Sequence, residues 1–303
     1  MPSAPVHRGD FPDPFVLVAG GRHYAYGTQT ADTNVPVMES ADLRHWEHPG
    51  EALPELPGWA EAGRTWSPAA LLRDAAVVLY YAVRHGASGR QAISVATAPG
   101  PLGPFVDRSE GPLIFQAGRG GSIDPSPFVD ADGRAYLLWK SDDNALGRVT
   151  SLWGAPLRAD GLGLDGLPVE LLHQDQRWEA PLIEAPSLAR VADGSRGPGG
   201  VPGNGYVLFY SGGWWESAGY AVGYATGPAP LGPFRKETRS GPWLASMPGM
   251  AGPGGAEVFI AADGDRRIAF HAWTPPRIGY SAGGRRSLWI ERLACDGGRP
   301  VLG

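Results

Sequence analysis

The chain of 303 residues is long enough for one large domain or two ordinary ones, and its hydrophobic content of 43% allows a sizeable core. A net charge of −5 without a run of like charge argues against a nucleic-acid binder, which needs clustered Lys and Arg. Cys295 is the single cysteine, so an intrachain disulfide is excluded, and the lack of an apolar stretch of about 18 residues argues against a membrane-spanning helix.

The compartment is left open between two expectations. The start MPSAPVHRGDF has no apolar signal core, so we expect a cytoplasmic protein, or a secreted one whose signal peptide is absent from this sequence. The 45 Gly and 30 Pro follow no Gly-X-Y period and occur among frequent aromatic residues, a composition typical of many short strands joined by tight turns.

Related phrases recur along the chain. Three of them place an acid at matching points, just before or near a proline that opens an apolar stretch: Asp13 in FPDPFVLV, Asp124 in SIDPSPFVD and Glu184 in IEAPSLAR. Each stretch leads to an aromatic segment, respectively HYAYGT, AYLLWKS and YVLFYS. Two further copies lack an acid in quite that place, WSPAALLRDAAVVLYYAV and AEVFIAADGDRRIAFHAW. We therefore predict five related β-hairpins.

A second repeat completes each unit. ATAPGPLGPF and ATGPAPLGPF both follow segments of period two, QAISVA and YAVGYA, which predicts a third strand, a proline-rich turn and a fourth short strand. About four strands every 50 to 75 residues is typical of a propeller blade. We predict an all-β fold, a five-bladed β-propeller with four antiparallel strands per blade, in a single catalytic domain over residues 1–303. The segment PVHRGDF should pair with the last blade near LWIERLACDG, and residues 193–205 should form a surface loop.

In a radial arrangement the starts of the inner strands converge on one axis, and so do the three acids. Asp-Pro is a common start of a turn, which is the structural alternative for any one of them. Three acids at homologous places, each with apolar neighbours, favour a functional group of carboxyls. Glycoside hydrolysis needs one carboxyl to protonate the leaving oxygen and another to activate water or attack carbon. The acids that compete for these roles are Asp10, Glu179 and Glu257.

Aromatic residues can stack on sugar rings, although core packing explains most of the 11 Trp. His271 in IAFHAW is either a core histidine or a residue that faces the axial channel, where it could contact a cation or water. Spacing for a zinc site, a G-x-S-x-G nucleophile and a phosphate-binding glycine loop are all missing from the sequence. The candidates for sugar stacking are Trp66, Trp214, Trp215 and Tyr220.

In this order the motifs DP, WSP, GRQAISVAT, SIDPSPFVDADGRAYLLWKSD, LIEAPSL, YSGGWWESAGYAVGYAT and FHAW resemble glycoside hydrolase family 43, the five-bladed β-propeller hydrolases of arabinan and xylan. The resemblance implies Asp13 as general base, Asp124 as modulator of the acid's pKa and Glu184 as general acid. It also implies inversion, with a carboxyl separation of about 6.5 to 9.5 Å between base and acid.

The same resemblance supplies the remaining expectations about the site. No cofactor is required, but Ca²⁺ or Na⁺ at the propeller hub is expected near His271, mainly through waters. Arg286 should reach the site from the last blade, with Arg285 as the alternative by a shift of one residue. The predicted substrate-binding residues are Trp66, Trp215, Arg286 and Phe128.

Two departures from the resemblance affect the expected substrate. Gly255 stands where many relatives have the histidine of a GPGH phrase, and no C-terminal β-sandwich typical of longer β-xylosidases follows. The missing β-sandwich favours an arabinose-directed activity, and the phrase WWESAGYAVGYA is most similar to members that release single arabinofuranose units. We therefore expect an exo-α-L-arabinofuranosidase that releases arabinofuranose from α-1,5-linked arabinan or from arabinoxylan side chains, with a plant cell-wall polysaccharide or oligosaccharide as partner. The alternatives are a β-xylosidase or endo-arabinanase of the same family, a non-catalytic carbohydrate-binding propeller, and a protein-interaction propeller.

Overall fold

The computed structural model describes residues 4–73, 76–190, 205–296 and 299–303. Within these ranges the regular structure is almost entirely β-strand. The first blade contains β1 (Phe15–Ala19), β2 (Arg22–Tyr26), β3 (Pro36–Ser40) and β4 (Glu47–Glu51). The second contains β5 (Ala60–Arg73), β6 (Ala76–His85) and β7 (Arg90–Ala98). The third contains β8 (Ser122–Val129), β9 (Ala135–Ser141), β10 (Ser151–Pro156) and β11 (Val169–His173).

The last two blades have four strands each. The fourth contains β12 (Ile183–Arg190), β13 (Tyr206–Gly212), β14 (Ala221–Gly227) and β15 (Arg235–Lys236). The fifth contains β16 (Ala251–Ile260), β17 (Arg266–Trp273), β18 (Arg286–Asp296) and β19 (Arg299–Leu302). The described helical turns are short 3-10 segments, Ala117–Arg119, Asp143–Leu146, Arg177–Glu179 and Tyr280–Ala282.

Each sheet is an antiparallel meander in chain order, which confirms the predicted five-bladed propeller. In the second blade the sheet has three strands, and an isolated antiparallel bridge between Thr97 and Val106 takes the place of the fourth. This bridge follows the proline-rich turn that the repeat predicted. The predicted surface loop at 193–205 falls, except for its last residue, outside the described residues.

The core is divided into five apolar clusters, each between two neighbouring blades. One cluster joins Tyr26 of the first blade to Leu79 of the second, and Leu17 and Val37 meet Tyr81 within the same interface. The fifth cluster joins Val16 to Phe259, so the first and last blades pack on each other like the rest. Burial of apolar side chains between all neighbours is what closes the ring.

Hydrogen bonds fasten the ring where the chain begins. The N–H groups of Val6 and His7 donate to the carbonyl of Leu288, and Leu288 N–H donates to the carbonyl of His7 at 3.0 Å. Phe11 N–H donates to the carbonyl of Arg286 at 2.9 Å. The predicted pairing of the N-terminal segment with the last blade is confirmed. It covers a sheet edge that would otherwise expose unpaired backbone groups.

Every blade has an equivalent residue in the left-handed region of backbone conformation, just before β1 in the first blade and within the inner strand in the other four. Its φ is between 45° and 59° in all five blades, and in four of them a proline follows. Strand pairing shifts register at this point in the second to fifth blades, as in a β-bulge. The five residues are Asp13, Ser67, Asp124, Ala185 and Gly255.

This repeat corrects one detail of the expected pattern. Asp13 and Asp124 occupy equivalent positions, but Glu184 lies one residue before Ala185, so it is equivalent to Trp66 of the second blade. The acids therefore leave the blades in two different directions. In the described part of the chain, no helix combines the length and hydropathy needed to cross a membrane.

Candidate active site

The starts of the five inner strands line one narrow cavity at the propeller axis. Every blade contributes the left-handed residue and one or two residues after it. The carboxyl groups of Asp13 and Asp124 stand among these lining residues, and Glu257 of the fifth blade lines the same cavity. Two of the three acids expected to converge, Asp13 and Asp124, therefore line the cavity at the axis.

Hydrogen bonds connect Asp13 to Asp124, and Asp124 to the backbone of the residue that follows Glu184. The Thr28 hydroxyl donates to Asp13 Oδ2 at 2.6 Å and accepts from Ser67 N–H at 2.9 Å. The Ser67 hydroxyl donates to Asp124 Oδ1 at 2.8 Å, and Ala185 N–H donates to Asp124 Oδ2 at 2.9 Å. Since Ala185 directly follows Glu184, the acids are held in a fixed mutual arrangement.

Asp13 is surrounded by groups that stabilise its ionised form. Burial alone would raise its pKa, but Arg286 and the Thr28 hydroxyl outweigh that effect and lower the pKa of Asp13 below its ordinary value. The guanidinium Nη1 of Arg286 lies 3.5 Å from Asp13 Oδ1. Asp13 therefore carries its charge in the free protein, as a general base must.

Asp124 is in the opposite situation. Burial and then the charge of Glu184 raise the pKa of Asp124 to about 7, although Lys140 and the Ser67 hydroxyl act in the other direction. The protonation of Asp124 therefore depends on the charge of the neighbouring Glu184. A proton is thus held at mildly acidic pH on one side of the site while Asp13 is ionised on the other.

Glu184 is gripped by two side chains from other strands. The Tyr220 hydroxyl donates to Glu184 Oε1 at 2.8 Å, and the Lys140 ammonium donates to Oε2 at 3.3 Å. Tyr220 reaches this place because Gly254 leaves space. A Cβ on Gly254 would lie 1.9 Å from a carbon of the Tyr220 ring. Of the four aromatic candidates, Tyr220 therefore contacts the acid itself.

Arg286 is held by an aromatic cage next to Asp13. Its guanidinium carbon lies 4.7 Å from the centre of the Trp215 ring, and its Nε and Nη2 each donate to the Tyr280 hydroxyl at 3.1 Å. Trp273 packs beneath Trp215 with ring centres 6.4 Å apart. Trp215 thus positions the arginine, and the exposed Trp214 beside it presents a free ring at the rim of this cage.

Two predicted substrate-binding residues have different locations. Trp66 is half-buried and directly precedes Ser67, which donates to Asp124, so it lies at the edge of the site. Phe128 lies four residues beyond Asp124 in β8, about 13 Å along the strand, and packs against Tyr136 and Tyr206. The structure does not bring Phe128 to the acids, because the inner strand runs away from them.

Arg286, and not its neighbour, is the arginine of the site. Arg285 is exposed and lines a separate surface cavity. The competing acid Asp10 accepts from Arg286 N–H at 2.7 Å and from the Tyr280 hydroxyl at 3.1 Å. Asp10 therefore supports the arginine cage from behind.

Glu179, the other serious competitor, has a structural environment. Its carboxylate accepts from the Lys236 ammonium and the Tyr210 hydroxyl, each at 2.8 Å, and from the N–H groups of Asp175 and Gln176. These hydrogen bonds use Glu179 to stabilise the turn before β12.

His271 links the fifth blade to Asp13. Its Nδ1 accepts the backbone N–H of Asp13 at 3.0 Å, and burial together with Arg286 lowers the pKa of His271 to about 3. The ring is therefore neutral with its proton on Nε2, which has no hydrogen-bond partner among the described residues. This tautomer has no free lone pair for direct coordination, so His271 fits a hub cation only through a bridging water. Within the described ranges no cluster of three His, Cys, Asp or Glu side chains is arranged to hold a metal ion.

Gly255 is explained by the same packing. A Cβ at this position would lie 2.8 Å from His271 Nδ1 and 3.2 Å from Asp13 Oδ1, and its φ of 59° is costly for other residues. A side chain here would displace the histidine that holds Asp13.

Sequence reasoning missed several residues of the site. Lys140 gave a signal, since a lysine within the aromatic strand AYLLWKS is unexpected in a buried strand, and its side chain is 1% exposed. Thr28, Ser67 and Tyr280 gave none, because a hydroxyl in a loop or at a strand start is ordinary.

A ring of five blades with carboxyls at the axis, one held ionised and another held protonated, defines a class of enzyme that carries out acid–base chemistry, of which glycoside hydrolases are the best-known case. The model of the family "Glycosyl hydrolases family 43" matches residues 2–300. The chain therefore belongs to glycosyl hydrolase family 43.

The individual relatives of this chain differ in their stated activities. A probable arabinan endo-1,5-alpha-L-arabinosidase B from Aspergillus fumigatus is 26% identical over 86% of this chain and 74% of its own length. The arabinoxylan arabinofuranohydrolase of Bacillus subtilis is 26% identical over 93% of this chain and 60% of its own length. A crystal structure of a thermostable family-43 glycoside hydrolase matches with a TM-score of 0.84 and 27% identity, covering 99% of this chain and 96% of the other.

Proposed function

We propose that this glycoside hydrolase is an inverting exo-α-L-arabinofuranosidase. The observation that supports acid–base hydrolysis most directly is the contrast between two linked carboxyls. The pKa of Asp13 is lowered by Arg286 and its other neighbours, whereas burial and Glu184 raise that of Asp124 to about 7. Titratable groups whose environments push their pKa values apart mark the base side and the acid side of a site.

In the proposed reaction Asp13 takes a proton from water as that water attacks the anomeric carbon. Glu184 gives a proton to the leaving oxygen, and Asp124 keeps the acid side of the site protonated through its proximity to Glu184. The Tyr220 hydroxyl orients Glu184, and the Arg286 guanidinium orients Asp13 and is available to a sugar hydroxyl. After the reaction Asp13 carries the proton from water and Glu184 has lost its own, so a proton must pass from Asp13 to Glu184, directly or through solvent, before the next turnover.

The names of the relatives and the aromatic residues at the rim of the site support a specificity for arabinofuranose. The relatives named above act, by their names, on arabinan and arabinoxylan, both of which carry arabinofuranose. Trp214, Trp215 and Tyr280 form a wall beside Asp13 on which one sugar face could stack. We therefore propose arabino-oligosaccharides and arabinoxylan side chains as substrates.

Product analysis tests this proposal. Wild type, Asp13→Asn and Glu184→Gln proteins would be incubated with linear arabino-oligosaccharides, arabinoxylan, debranched arabinan and xylobiose. Arabinose as the sole product, lost in both variants, is the expected result, and proton NMR of the first product should show the inverted anomer. Xylose would indicate a β-xylosidase, and a ladder of oligosaccharides an endo-arabinanase. Sugar binding without any product would favour a non-catalytic propeller.

A further inference from the structure

Lys140 is a buried cation beside the proposed proton donor. Its ammonium lies 3.3 Å from Glu184 Oε2 and 3.1 Å from Asp142 Oδ1, and its side chain is 1% exposed. Burial would lower the pKa of Lys140, but Glu184, Asp142 and Asp124 outweigh this and raise it, so the ammonium stays charged. A buried charge is retained at such a cost only where partners compensate it.

The position of this cation is unexpected for a proton donor. A positive charge next to a carboxyl favours the ionised form, whereas a general acid must hold its proton. Asp142 contacts the same ammonium at 3.1 Å and offsets part of its charge. Glu184 and Asp124 are therefore exposed to the positive charge of Lys140 reduced by the negative charge of Asp142.

We propose that the Lys140–Asp142 ion pair is a positioning element of the site that holds Glu184 and sets the pH above which the enzyme loses its proton-donating form. Lys140 fixes Glu184 Oε2, while Tyr220 fixes Oε1. Asp142 limits how strongly the ammonium favours loss of the proton. This inference rests on the proposed roles of Glu184 and Asp124.

The other charged groups around these carboxyls come from different blades. Asp13 faces Asp124 with its own partners Arg286 and His271, and Tyr220 stacks on His271 with ring centres 5.9 Å apart. Next to Asp142, Asp143 forms an ion pair with Arg119 at 3.1 Å. None of these contacts changes when only Lys140 or Asp142 is substituted.

The two members of the pair should act in opposite directions. In Lys140→Met the carboxyls lose their nearby cation and hold the proton more tightly, so the basic limb of the kcat/KM profile should move up by at least about 1 pH unit. In Asp142→Asn the ammonium is no longer offset, so the same limb should move down. Lys140→Arg keeps the charge and should stay closer to the wild type than Lys140→Met.

Lys236→Met is the matched control. Lys236 is also a buried lysine held by two carboxylates, Glu179 at 2.8 Å and Asp175 at 2.6 Å, but its partners belong to the turn before β12. Its loss should lower thermal stability without moving the basic limb. A structural effect common to buried lysines would appear in both lysine variants.

The test combines a pH–rate profile on arabinobiose, whose leaving group needs protonation, between pH 4 and 9 with carbon-13 NMR of labelled aspartate carboxyls. The Asp124 signal, identified by its loss in Asp124→Asn, should titrate at higher pH in Lys140→Met and at lower pH in Asp142→Asn. Shifts in the same direction, or no shift in either variant, would overturn the inference. If Lys140→Met does not fold, the sign of the shift in Asp142→Asn decides.

The proposed function can fail separately. A wild type that hydrolyses no glycoside would refute the function, and the NMR titration would still show whether the pair sets the proton affinity of the site. An active wild type whose limb is the same in Asp142→Asn and Lys140→Met would keep the function and refute the role of the ion pair.

Discussion

Glu257, whose side chain lines the cavity at the propeller axis, should make the protein less stable as the pH rises. Both of its oxygens accept from the Ser126 hydroxyl at 3.1 Å, and Oε1 also accepts from Ser187 at 3.1 Å, but no cation pairs with it among its described contacts. Burial therefore raises the pKa of Glu257 to about 8 from an ordinary value of 4.5, against the opposing effect of both serines. Replacement by Gln keeps the shape and an acceptor oxygen while removing the titration.

The sign follows from proton counting. Between pH 4.5 and 8 the folded protein keeps the proton of Glu257 whereas the unfolded chain has lost it. The free energy of unfolding therefore decreases as the pH rises. A tenfold difference in proton affinity between the folded and unfolded chains corresponds to about 1.4 kcal/mol, which gives a ceiling of about 5 kcal/mol for Glu257. Glu257 is only half-buried, and water in the channel screens the charge, so we expect about 2 to 3 kcal/mol.

Urea denaturation at pH 5 and pH 8 measures this effect. The free energy of unfolding of Glu257→Gln minus that of the wild type should increase by about 2 to 3 kcal/mol between the two values. Other groups titrate in this range, but they are common to both proteins and cancel in the difference. Glu110→Gln, at an exposed carboxyl, is the control and should show no such increase. A difference that is constant with pH, or that reverses sign, would refute the reasoning.

Three further predictions concern the catalytic carboxyls. The kcat/KM of the wild type should stay high at acidic pH, because Arg286 and its other neighbours lower the pKa of Asp13. It should fall with a midpoint near pH 7, where Asp124 titrates. A profile that rises through pH 7 would contradict this assignment. Glu184→Ala should lower kcat by about 100-fold or more on arabinobiose but much less on a 4-nitrophenyl glycoside, whose leaving group needs little protonation. Asp13→Asn should lower kcat on both substrates. Equal losses on the two substrates in steady-state kinetics of Glu184→Ala would argue against its role as the acid. Tyr220→Phe should lower kcat by about 10-fold with little change in KM, since one hydrogen bond that orients Glu184 is lost; a change in KM alone would point to substrate binding instead.

Much of the architecture was readable from local patterns. Alternating residues, proline-rich turns and the recurrent phrase predicted strand order, blade number and the convergence of Asp13 and Asp124, because these features repeat within each unit. The N-terminal closure near Leu288 also followed, since a ring of sheets must satisfy its edges.

The chemistry of the site depended on contacts that no local pattern contains. Arg286 meets Asp13 across 273 positions of the chain, and Asp10 and Glu179 have ordinary acidic sequence contexts that fold into structural roles. The sequence shows that Ala185 separates Glu184 from Pro186, but only the structure shows that Ala185, and not Glu184, occupies the left-handed position of Asp13 and Asp124.

The sequence by itself determined which carboxyls could converge, because strand periodicity and repetition are local properties of the chain. Only the tertiary structure decided their charge states. Desolvation and the placement of Lys140, Arg286 and Tyr220 against individual oxygens depend on side chains brought together from different blades, and Coulomb interactions vary steeply over such short distances. The same burial that raises the pKa of Asp124 is outweighed at Asp13 by a single arginine and its neighbours, a difference set by packing at the axis.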